Sequence, residues 1–89
     1  MTKKELFEKY ADGVMQVELL NKKVDELNSR CADINEKIDE AESRNDTDSV
    51  EFLSCMYNAL TEQRIELELE KNKKEREMLE FELAAVKAE

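Results

Sequence analysis

From Leu6 to Ala41 the chain places apolar or small residues at alternating intervals of four and three: Leu6, Tyr10, Gly13, Val17, Leu20, Val24, Leu27, Cys31, Ile34, Ile38 and Ala41. Lys, Glu and Asp dominate the positions between. This is the a/d rhythm of a helix built to pack lengthwise on another helix. Thr2-Lys3-Lys4-Glu5 stands before it as a capping box, with the Thr2 hydroxyl placed to accept from the backbone near Glu5. The pattern therefore predicts a first helix over about residues 3–43, roughly 60 Å long at 1.5 Å rise per residue.

The rhythm stops at Arg44-Asn45-Asp46-Thr47-Asp48-Ser49, which contains no apolar side chain. The short polar groups of Asn, Asp, Thr and Ser compete with a helical backbone for hydrogen bonds, so a turn is predicted over residues 44–48. Asp48 followed by Glu51 repeats the capping arrangement, which starts a second helix near residue 49 and carries it to about 88. One continuous helix is the competing reading, since residues 14–89 hold neither Pro nor Gly. Extending the first seam through the turn, however, would put Asn45, Asp48, Glu62 and Glu66 in a core. The expected fold is all-α, a long antiparallel helical hairpin of coiled-coil type.

Folding the chain about residue 47 pairs positions whose numbers add to about 94. Ala41 then faces Leu53, Ile38 faces Met56, Ile34 faces Leu60 and Leu27 faces Leu67, with Gly13 opposite Phe81 and Tyr10 opposite Ala84. In the middle, Val24, Leu20 and Val17 meet Glu70, Lys74 and Glu77. That mismatch leaves three apolar side chains in need of cover. Helix 2 also carries a second apolar line through Ile65, Leu69, Leu79, Leu83 and Val86, and two lines on one helix imply neighbours on two sides. Both features point to a homodimer packed as a four-helix bundle, its interface assigned to Val17, Leu20, Val24, Leu27, Cys31, Ile65 and Leu69. The alternation Ile65-Glu66-Leu67-Glu68-Leu69-Glu70 has the period of a strand, but no second strand candidate exists to pair with it.

Composition narrows the function. Eighty-nine residues, 42% of them charged, with no Pro or Trp and one Gly, make one small helical domain without a deep core, for which oligomerisation is the usual remedy. No His is present, which removes the commonest acid-base group and metal ligand, so no enzyme activity, cofactor or metal is expected. Carboxylates at four-residue spacing, such as Glu62, Glu66 and Glu70, read as a solvated helix face. A net charge of −9 argues against direct binding to nucleic acid and to anionic membranes, and no eighteen-residue apolar run offers a membrane span. With no hydrophobic leader stretch either, a cytoplasmic location is expected.

Cys31 and Cys55 are expected to be small packing residues. In the pairing above Cys31 lies opposite Gln63, about 12 Å along the axis from Cys55, too far for a disulfide. The turn end is acidic: Asp39, Glu40, Glu42, Asp46 and Asp48, with Asp33 and Glu36, against Lys37 and Arg44, leave −5. Two functions follow as expectations. The first is a non-enzymatic protein–protein interaction module, working as adaptor, assembly factor or chaperone-like binder through self-association. The alternative is an acidic inhibitor, phage or mobile-element encoded, that blocks a nucleic-acid-binding protein by presenting carboxylates where phosphates would lie.

Overall fold

A computed structural model describes residues 2–87. Two helices, α1 (Lys3–Ser43) and α2 (Thr47–Lys87), run antiparallel in a hairpin measuring 66 × 14 × 13 Å. One continuous helix of this length would span about 130 Å at 1.5 Å per residue, so the long axis alone excludes the rod. The Thr2 cap forms as expected: the Glu5 N–H donates to Thr2 Oγ1 at 3.2 Å, and the Leu6 N–H donates to the Thr2 carbonyl at 3.1 Å. Along α1, Glu5, Glu26, Asp33 and Glu40 each precede Lys9, Arg30, Lys37 and Arg44 by four residues. In a helix this acid-before-base order favours the exposed face by about 0.2–0.5 kcal/mol for each pair that forms.

The turn is shorter than predicted. Asn45 takes the left-handed conformation at φ 57°, the Asp46 N–H donates to the Ala41 carbonyl at 2.9 Å, and the Asn45 N–H donates to the Glu42 carbonyl at 3.0 Å. Those two bonds make a Schellman ending, with Asn in the place usually held by Gly. Asp46 closes one helix and opens the next. Its Oδ1 accepts from the Ser49 N–H at 3.2 Å and its Oδ2 from the Ser49 hydroxyl at 2.7 Å, the geometry of an N-cap. The connection is thus Arg44–Asp46, and α2 begins at Thr47 rather than near 49, capped by Asp46 rather than Asp48. The expected end near residue 88 lies outside the described residues.

An earlier start to α2 changes the register. A Cβ built on Gly13 would lie 2.6 Å from Met78 Cγ, so Gly13 packs on Met78 and not on Phe81. Phe81 instead shares a groove with Leu6, Tyr10 and Ala85. The Gly13–Met78 contact makes facing positions add to 91, three fewer than the sequence pairing. The burial of α2 follows the same rule: Val50, Leu53, Tyr57, Leu60, Arg64, Leu67, Lys71, Lys74, Met78, Phe81 and Ala85 are all half-buried, an unbroken three-four alternation. Opposite them, every member of the α1 seam is buried or half-buried.

In this register Ala41 faces Val50, Ile38 faces Leu53, Ile34 faces Tyr57, Cys31 faces Leu60 and Val24 faces Leu67. Polar residues enter the seam at three layers, where Leu27 faces Arg64, Leu20 faces Lys71 and Val17 faces Lys74. The expectation that Val17, Leu20 and Val24 meet Glu70, Lys74 and Glu77 is corrected accordingly. Val24 has an apolar partner, and Leu20 is only 7% exposed beneath a half-buried lysine. A lysine stem of four carbons covers apolar surface while its ammonium stays in water. Lys74 does so with its Nζ 3.3 Å from Glu77.

Candidate interaction surface

The hairpin buries one stripe of each helix and leaves the rest to solvent. Buried side chains all belong to α1, and no described residue of α2 is fully buried. Counting the seam of α2 as positions a and d of its heptad, Ile65, Leu79 and Val86 occupy b and Leu69 and Leu83 occupy f. At 100° per residue the b/f stripe points about 150° away from the seam. These five residues are 48%, 55%, 64%, 63% and 53% exposed respectively, a line of large apolar side chains on the outward face of α2. Cys55 lies on the same stripe nearer the turn and is exposed, not packed as expected, whereas Cys31 is buried; both are free thiols.

The residues assigned to an interface from sequence therefore separate into two groups. Leu20, Val24, Leu27 and Cys31 are buried, and Val17 half-buried, within the single chain, while Ile65 and Leu69 stand outside. The hairpin does not bring the two groups together. Leu79, Leu83 and Val86 complete the exposed line. Smaller exposed apolar sites also occur. Phe52 and Met56 border shallow grooves near the turn, Met15 and Leu19 form a patch on α1, and Phe7 lies at the open end. Helical spacing marks these residues in the sequence, but only the register tells which of them the partner helix covers.

All five assigned acidic-tip residues, Asp39, Glu40, Glu42, Asp46 and Asp48, are exposed. Their roles differ. Glu40 and Asp48 line a groove with Lys37 and Arg44, which offsets their charge locally. The Asp46 carboxylate is held below its ordinary pKa by the Ser49 hydroxyl first and the Ser49 backbone N–H second, because both donate to the charged form. Asp39 and Glu42 remain as carboxylates whose side chains carry no structural duty in this geometry.

A polar layer crosses the middle of the seam. Arg64 Nη1 donates to Asn28 Oδ1 at 3.2 Å across the helix pair, while Arg64 Nε and Thr61 Oγ1 are buried without a hydrogen-bond partner. Buried unpaired donors are costly, so this layer is a weak point of the hairpin. Among the described residues no group of three or more His, Cys, Asp or Glu is placed to hold a metal ion, and no helix is long and apolar enough to cross a membrane. No protein-family model, curated protein or solved structure matches the chain.

Proposed function

We propose that the protein is a non-enzymatic interaction module that self-associates through the outward face of α2 and serves as an adaptor, assembly factor or chaperone-like binder. The observation that carries this reading is the exposed line of Ile65, Leu69, Leu79, Leu83 and Val86 on a helix that buries none of its described residues completely. A two-helix pair buries little surface, and a line of large exposed apolar side chains, interrupted at Asn72 and Arg76 and rimmed by charge, marks a binding surface rather than incidental exposure. The grooves are open, and the Asp46 carboxylate, whose pKa is lowered, is committed to a helix cap.

Sedimentation equilibrium tests the proposal. The native chain is expected to show twice the mass of one chain at micromolar concentration, and Leu69→Glu with Leu83→Glu is expected to return a monomer that keeps its helical circular dichroism. A native chain that sediments as a monomer throughout would overturn it.

A further inference from the structure

The stripe on α2 matches its own reversed copy without stacking like charges. Its successive positions, Glu62, Ile65, Leu69, Asn72, Arg76, Leu79, Leu83 and Val86, alternate by three and four like a second seam. We infer that a second copy of the chain packs on this face with α2 against α2, antiparallel, about a two-fold axis level with residue 74, between Asn72 and Arg76 of the stripe. This rests on the self-association proposed above and specifies its geometry.

In that register Ile65 meets Leu83 of the partner subunit, Leu69 meets Leu79 of the partner subunit, and Asn72 meets Arg76 of the partner subunit. Symmetry repeats each pair, as an isologous interface requires. Of the eight layers four are then apolar on both sides, the two central layers pair an amide with a guanidinium, and the two outermost set Glu62 beside Val86 of the partner subunit. Sliding either helix by one heptad destroys the match. One direction sets Ile65 on Arg76 and Leu69 on Asn72; the other sets Asn72 on Leu83 and Arg76 on Leu79. A parallel, in-register pairing stacks Arg76 on Arg76 and Glu62 on Glu62 and repels at both layers. Because the stripe lies about 150° from the intrachain seam, the assembly is a gently bent row of four helices with α1 at each edge, not a bundle closed around one core.

Cross-linking in a Cys55→Ser background decides the geometry. Chains carrying Leu69→Cys are mixed with differently tagged chains carrying Leu79→Cys, and thiols are equilibrated in a glutathione redox buffer. Cross-linked dimers are expected to be almost wholly unlike-chain, because the antiparallel register places residue 69 opposite 79. Like-chain dimers in excess, or native chains joined through the exposed Cys55, would establish the parallel arrangement and overturn this inference while leaving self-association intact. A native dimer that yields no cross-link from either chain would place the contact on another face and also overturn it. A native chain that is monomeric by mass would remove both readings together.

Discussion

Replacing Lys71 by Leu provides the sharpest test of the hairpin's register. Lys71 is half-buried at the α2 seam position that faces Leu20 in this register, so the site already excludes part of the solvent from the seam. Complete burial of a Leu side chain contributes about 1.5–3 kcal/mol. At a half-exposed seam position, with the lysine methylenes supplying part of that already, the gain should be about 0.5–1 kcal/mol. For a chain of this size each kcal/mol moves the melting temperature by roughly 4–8 °C, so Lys71→Leu is expected to raise Tm by roughly 2–8 °C. Glu70→Leu is the control, because Glu70 is exposed and the substitution should stay within about 0.5 kcal/mol of the native chain. The assay is thermal unfolding by circular dichroism, with all chains at one concentration so that association does not confound the comparison. Stabilisation by Glu70→Leu without stabilisation by Lys71→Leu would show facing positions that add to 94 and would refute the register built on the Gly13–Met78 contact.

Further outcomes are expected elsewhere in the hairpin. Gly13→Ala should bring little net gain in the native chain, because the added methyl would sit 2.6 Å from Met78 Cγ, whereas in a Met78→Ala background it should approach the ~1 kcal/mol that Ala holds over Gly in a helix; equal effects in both backgrounds by denaturant unfolding would remove the packing role of Gly13. The Asp46 cap has a folded pKa lowered below the ordinary aspartate value by the Ser49 hydroxyl and N–H, so its contribution is present in full above that ordinary value and is lost as pH falls through the folded pKa. Asp46→Asn should flatten this acid limb of Tm against pH while leaving most of the neutral-pH stability, and an unchanged limb would count against the cap. Cys55 should react rapidly with a thiol reagent under native conditions and Cys31 only on unfolding, in keeping with their exposed and buried positions; a single fast phase for both would contradict the seam. Finally, Glu68, Glu75 and Glu82 form one edge of the outward stripe, so changing all three to Gln should tighten dimerisation at low salt and weaken its dependence on ionic strength.

Much of the fold is legible in the sequence because the α1 seam is almost free of interruption. Each of its eleven members from Leu6 to Ala41 is buried or half-buried, and the Thr2 cap forms as the capping box implies. The seam of α2 is harder to read because Arg64, Lys71 and Lys74 occupy it. Charged residues at a and d disguise the heptad, and near the turn a pairing whose numbers add to 94 sets apolar on apolar just as well, through Leu53, Met56, Leu60 and Leu67. The turn added a second difficulty. Two Asp residues, Asp46 and Asp48, both stand where an N-cap can form, and only the Asp46 bonds to Ser49 decide between them. That two-residue difference propagates through the hairpin as a three-residue shift in pairing. It also withdraws the middle of α1 from the candidate surface and leaves Ile65 and Leu69, with the rest of their line, on the outside of α2.

The double duty of Asp46 has a consequence for how such a chain can vary. With one residue serving as the end of one helix and the start of the next, the connection holds no slack in which an added residue can be absorbed. An insertion in Arg44–Asp46 would rotate α2 by about 100° about its own axis while leaving both helices intact. The turn therefore acts as a phase setting: three residues at one end of a 66 Å hairpin determine which side of α2 closes against α1 and which side is left to meet other molecules.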